Sequence, residues 1–193
     1  PPNRKVSFYS FDVMSKGNQL RSHFNLAARG AEECEKTMSF PDVQNIINSN
    51  EKFDLFITET FNTDCFLAFG HKFQLPTITF SSCPFLPWHP DRIGNPDNPS
   101  YIPIQFSKSS DRMDFSERLS NTFWNVLHKI LSIFLIDKRA HSIARQYFGG
   151  NLPVLSDLAR NISVIFVNTH FSLNKAKPLV PGVIEVGGIH ITS

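Results

Sequence analysis

The side chains that could do chemistry in this 193-residue chain are few and scattered. Cys34, Cys65 and Cys83 show no CxxC or metal-knuckle spacing, and an odd number of cysteines makes no disulfide framework, so buried free thiols are the expectation. Seven histidines are spread along the chain. His23, His128 and His141 fall in helical stretches and read as packing or surface residues. There is no GxGxxG and no P-loop. The densest chemical signal is a segment of aromatic and proline residues, SSCPFLPWHPDRIGNPDNPSYIP, with six prolines between Ser81 and Pro103. A loop that long inside a compact domain is usually functional or disordered, and its rings favour function. Nineteen phenylalanines give the chain the means to line a pocket for flat apolar ligands.

The loop must be held by regular elements. Strand candidates are Lys5–Phe11, Phe53–Thr60, Thr77–Ser82, Val164–Thr169 and Val183–Val186. The second and fourth are near-continuous apolar runs, as strands covered on both faces are. Helical patterns fill the gaps: Asn18–Met38, Pro41–Ile47, Thr63–Phe73, a long stretch Asp114–Phe148 with a break near Ile136–Asp137, and Pro153–Arg160. Strands alternating with helices predict an α/β fold around a parallel sheet. The aromatic loop then follows the C-terminal end of a strand, where open α/β sheets place ligands.

Composition excludes some functions. The formal net charge is +2, and lysines and arginines form no long run, against an extended nucleic-acid footprint. No apolar run reaches the ~18 residues of a membrane-spanning helix. The first residues, PPNRKVSFYSF, read as prolines and a strand rather than a charged region followed by an apolar core. One sequon, Asn161-Ile-Ser163, is present, whereas Asn98 is followed by proline. The stretch Thr122–Lys138 carries apolar residues at 123, 126, 127, 130, 131, 134 and 135. That broad face either packs on the sheet or a neighbouring helix, or lies in a membrane interface.

Six stretches in order carry a family resemblance: FDLFITETFNTDCF (Phe53–Phe66), LPW (Leu86–Trp88), DRIGNPDNPSYIP (Asp91–Pro103), DRMDFSERLSN (Asp111–Asn121), LPVLSDLARNISVIFVNTHF (Leu152–Phe171) and KPLVPGVIEVGGIHI (Lys177–Ile191). The chain resembles the N-terminal half of the membrane-bound UDP-glycosyltransferases, the UDP-glucuronosyltransferase family, and looks most like its insect members. The resemblance implies residues 1–193 form an incomplete N-terminal, acceptor-binding domain, a Rossmann-like parallel sheet within a GT-B fold. The C-terminal UDP-sugar-binding domain would be absent, as would a signal peptide, the first strands and a histidine base ahead of Pro1. Such a fragment, unable to close its sheet, is expected to be marginally stable.

For the site, the resemblance implies that a base takes the acceptor proton while a carboxylate orients it. The family's aspartate maps onto Glu59, a departure in arm length. Asp64 is the alternative, and it reads equally as a helix N-terminal cap. Acceptor contacts map onto Phe85, Leu86, Trp88, Phe123 and Trp124, each of which also reads as core. No metal and no resident cofactor is implied; the co-substrate is a UDP-sugar. Implied partners are a small lipophilic acceptor, the UDP-sugar, a membrane surface along 122–138 and a second copy of the chain. The implied location is the luminal side of the endoplasmic reticulum membrane, with detoxification-type conjugation as the role and a glycan on Asn161. A non-catalytic module for lipophilic ligands or subunit pairing is the other reading.

Overall fold

The structure is a computed structural model that describes residues 19–107, 109–189 and 191. The strand expected at Lys5–Phe11 lies outside them. The chain opens with helix α1 (Gln19–Met38), followed by α2 (Pro41–Asn48), whose first turn carries the proline expected there. Strand β1 (Phe56–Glu59) leads through a turn to α3 (Leu67–Lys72) and β2 (Thr77–Ser81). The proline-rich segment carries one short helix, α4 (Pro90–Ile93), closed by Gly94 at φ +64°. Next come α5 (Phe115–Ser132), a π-helical turn (Ile133–Asp137) and α6 (Lys138–Phe148). Helix α7 (Leu155–Ala159), β3 (Ile162–Val167), α8 (Phe171–Asn174) and β4 (Val183–Glu185) complete the order.

The four strands form one sheet in the order β1-β2-β3-β4, all parallel. This is the predicted α/β, Rossmann-like arrangement. Strand limits follow the partners available. Phe56 N–H donates to the Pro76 carbonyl, and the β1–β2 ladder starts at Phe56 opposite Thr77. Phe53 and Leu55, predicted as strand, therefore have no ladder to join and are exposed. Pairing of Ile162 with Thr77 draws β3 two residues earlier than expected. β3 is covered as predicted, but β1 is not: Ile57 and Glu59 face out, so only one face is covered among the described residues.

Helix α1 buries His23, Ala27, Gly30, Ala31, Cys34 and Met38, one stripe at helical spacing, against α6 and the turn after β1. Gly30 is where the chains come closest: a Cβ there would stand 2.1 Å from the Asn62 carbonyl oxygen. That approach brings Cys34 to Cys65, and the two form a disulfide with Cα atoms 5.9 Å apart. The free-thiol expectation fails for this pair and holds for Cys83. The bond lies inside the largest apolar cluster, among Ala31, Met38, Ile47, Ala68, Ala144 and Leu155. Nothing in the local spacing signals it, because 31 residues separate the partners and packing joins them.

Helix α5 begins with a capping box. Asp114 Oδ1 accepts from Glu117 N–H, and Glu117 Oε2 accepts from Asp114 N–H. Its packing reverses the usual pattern. The inward stripe is Asn121, Asn125, His128 and Ser132, while Phe115, Leu119, Phe123, Val126 and Ile130 face outward. The long helix is irregular where the sequence suggested a break: the π-turn takes in Ile136 and Asp137, burying the first and half-burying the second.

Unfolded without reductant, the chain is expected to react with one equivalent of thiol reagent, at Cys83, and with three after reduction. Three equivalents before reduction would show that the Cys34–Cys65 disulfide does not form.

Candidate functional site

Residues 82–104 leave the C-terminal end of β2; Asn95 ties them to Pro178 and Val180 ahead of β4, and they share a cleft with Val167, Thr169 and Glu185 at the C-terminal ends of β3 and β4. Between this loop and the segment from Thr169 to Glu185 lies a cleft of about 680 Å³, counting its part open to solvent. Pro84, Phe85, Leu86, Ile102, Ile104 and Leu179 supply an apolar wall. Asn125 reaches it from α5, and Thr169, Lys177 and Glu185 from the strand side. The apolar lining, with a few polar groups among it, suits a small organic molecule.

Three buried groups fix the loop to the sheet. His89 is fully buried; its Nδ1 lies 3.3 Å from Leu86 N–H and accepts from it, so the proton sits on Nε2, which donates to the Phe61 carbonyl at 2.8 Å. Burial, helped by the nearby Arg92 charge, pulls His89 down to about 3, so the ring stays neutral. Trp88 Nε1 donates to the same carbonyl at 3.2 Å. Arg92, on α4, donates to the Trp88 carbonyl and pairs with Asp64; Asp137 Oδ1 stands 3.5 Å from it. Burial opposes the Arg92 charge, but the surrounding carboxylates, Asp64 first and then Asp137 and Asp91, together outweigh it and raise the affinity for its proton. Burial also lifts Asp137 to about 6, with Arg92 pulling against that. Outside this knot, Lys129 of α5 bonds Asp91 at 2.7 Å and Asp97 at 2.8 Å, clamping the loop to the helix.

The sequence-predicted residues fall in several places. Phe85 and Leu86 stand on the cleft wall. Leu86 also joins Trp88 in a core cluster with Ala27 and Ile136, and Trp88 packs edge-on against His23 rather than lining the cleft. Phe123 is 59% exposed on the outer face of α5. Trp124 is half-buried beside Phe123 and His128, away from the cleft. Glu59 is exposed at the C-terminal end of β1, close enough for its charge to help burial push the Cys83 thiol up to about 11. Asp64 caps no helix, since α3 begins three residues later at Leu67; its carboxylate is spent on Arg92. Asn161 is exposed at the mouth of β3.

His23 and His128 are buried and share a hydrogen bond between their Nδ1 atoms, 3.0 Å apart. Burial, and for His128 the neighbouring ring as well, lowers both, His128 to about 4. They pack as the sequence suggested, and His141 is half-buried. Among the described residues no three His, Cys, Asp or Glu side chains stand together as metal ligands. Sequence reasoning missed His89 and Arg92. Their one signal was WHPDR, two potential hydrogen-bonding side chains around the proline that starts a helical turn inside the aromatic loop.

The sequence profile described as UDP-glucoronosyl and UDP-glucosyl transferase matches residues 7–193. The chain belongs to this family. It is 37% identical over 174 residues to UDP-glucosyltransferase 2 of Dactylopius coccus, covering 89% of this chain and 33% of that protein. To UDP-glycosyltransferase UGT5 of the same insect it is 45% identical over 150 residues, or 77% of this chain and 28% of that protein. A UDP-glucuronosyltransferase 3A1 of Xenopus laevis is 26% identical over 186 residues, 96% of this chain and 34% of that protein. The chain thus spans about a third of the length of the curated relatives it matches. No solved structure matches it. The family's fold is GT-B, and the parallel sheet described above is its N-terminal part.

Arg92→Met removes the cation between the buried Asp64 and the half-buried Asp137 and is expected to cost about 3–5 kcal/mol, read as a fall in melting temperature. Lys129→Ala breaks only a half-exposed clamp and should cost about 1 kcal/mol or less. Equal losses from the two variants would contradict this ranking.

Proposed function

We propose that this chain is the acceptor-binding part of a UDP-glycosyltransferase and that the cleft behind the Phe85 loop holds a small lipophilic acceptor. The observation that carries this is the cleft's position at the C-terminal strand ends with an apolar wall, in a chain of this family. The UDP-sugar is held mainly by a second, C-terminal domain, and no metal or resident cofactor takes part. In the reaction a histidine from outside the described residues takes the proton of the acceptor hydroxyl. The oxygen then bonds to the anomeric carbon, and the bond to UDP breaks with its electron pair leaving on the phosphate. With Asp64 committed to Arg92, Glu59 is the carboxylate free to orient that histidine. Conjugation of lipophilic compounds for detoxification fits this pocket chemistry.

We further propose that the chain works on the luminal side of the endoplasmic reticulum membrane. Two features support it. A buried disulfide suits an oxidising compartment, where the exposed Asn161 of the Asn161-Ile-Ser163 sequon is open to glycosylation. The outward apolar stripe of α5, with Arg118 near its start and Lys138 just past the π-turn that follows it, suits contact with a lipid surface. No helix among the described residues is long and apolar enough to cross a membrane.

Filling the cleft mouth with Leu179→Trp is expected to raise the acceptor KM at least tenfold with the UDP-sugar KM unchanged. Unchanged acceptor KM would remove the cleft as acceptor site. Expressed through the secretory route, the protein should lose mass on glycosidase treatment, and Asn161→Gln should abolish that shift. Phe123→Asp with Ile130→Asp should release it from anionic phospholipid vesicles. If the doubly substituted protein instead stays on vesicles but loses self-association, α5 serves a second copy rather than lipid.

A further inference from the structure

Nearly every polar side chain on the cleft wall is already used inside the protein. Asn95 bonds the Pro96 and Pro178 carbonyls and the Val180 N–H. Thr169 Oγ1 donates to Glu185 Oε1 at 2.8 Å. Asp97 holds Lys129, and Lys175 holds Asp111. Lys177 has the Glu185 charge to answer it; Asn125 is the exception among the buried ones. It is 5% exposed, it lines the cleft, and its Oδ1 is shut off from bulk water with no hydrogen-bond partner among the described residues.

Asn121 sets the contrast one turn earlier on the same face of α5. Its Oδ1 accepts from Ile104 N–H at 3.0 Å, and its Nδ2 donates to the Pro99 and Ile102 carbonyls at 2.8 and 2.9 Å. That amide is a structural tie, saturated by the loop. Asn125 has the same chemistry and burial but no such ties. A buried amide oxygen without a donor is costly, and native proteins keep few of them. Apolar side chains would have filled the position at no such cost.

We infer that the Asn125 amide reads a second polar group on the acceptor, a hydroxyl or N–H remote from the hydroxyl that receives the sugar. Rotation about its side-chain amide bond to Cβ presents either the oxygen or the NH2 to the cleft, so the amide can accept from a hydroxyl or donate to one. The rest of the wall around it, Phe85, Leu86, Ile102 and Ile104, offers only apolar contact. The substrate class is therefore flat, lipophilic and at least bifunctional: one group to be glycosylated at the mouth and another to be hydrogen-bonded at depth. A site built to bond a polar group discriminates against analogues that lack it, because its own buried group is then left unpaired. The inference rests on the cleft being the acceptor site.

The test compares naphthalen-1-ol with naphthalene-1,5-diol as acceptors of the full-length transferase. The wild type is expected to favour the diol at least tenfold in kcat/KM. In Asn125→Leu that preference should shrink to about the factor of two that comes from having two hydroxyls. Asn125→Ser, which keeps a hydroxyl of shorter reach, should retain part of it. A structural role would show as a lower melting temperature, which is expected for Asn121→Leu and not for Asn125→Leu; a matching fall in Asn125→Leu would count against the inference. An unchanged diol preference in Asn125→Leu overturns the inference, and if Leu179→Trp still raises the acceptor KM, the cleft itself stands. If Leu179→Trp leaves the acceptor KM unmoved as well, the cleft reading fails and takes this one with it.

Discussion

The arrangement of the cleft depends on one buried cation. Arg92 sits where the aromatic loop, the turn after β1 and the π-helical turn of the long helix meet, and it binds a group from each. Charge there is costly, since burial strips the guanidinium of water. Asp64 offsets most of that, and Asp137, itself raised to about 6 by burial, adds to it. An apolar residue at 92 could fill the space but could not fix the direction of three chain segments at once. His89 and Trp88, hung from the Phe61 carbonyl, extend the same anchorage to the start of the loop. With the loop so fixed, Phe85 and Leu86 become a wall rather than a mobile cover.

The long helix completes the enclosure by putting its polar stripe inward. Asn121 ties down residues 99–104, Lys129 clamps Asp91 and Asp97, and Asn125 faces the cleft. The consequence appears on the other side, where Phe115, Leu119, Phe123, Val126 and Ile130 have no protein to cover them among the described residues. One helix thus turns a polar stripe to the cleft and an apolar surface outward.

Much of the fold was legible in the sequence, and the reasons are local. Helix α1 shows its stripe at helical spacing, and the strands show as β-branched and aromatic runs, so the parallel α/β sheet follows. The break in the long helix near Ile136–Asp137 was visible too. The aromatic loop stood out because six prolines interrupt every period. What could not be read were contacts made by packing. Trp88 looked like a pocket residue until α1 was placed against it. Phe123 and Trp124 map to acceptor contacts through the family resemblance, and only packing shows that α5 turns its polar stripe inward. Cys34 and Cys65, and likewise Arg92 with Asp64 and Asp137, are far apart in sequence and are joined only once the sheet is formed.

The central claim is that the cleft held in place by Arg92 takes the acceptor. Hydrogen–deuterium exchange of the full-length protein, with and without a saturating lipophilic acceptor, tests it most directly. The account predicts slowed exchange at residues 84–87, 102–104 and 177–185, with the outer face of α5 unchanged. Slowed exchange confined to other segments, with these three unaffected, would contradict it.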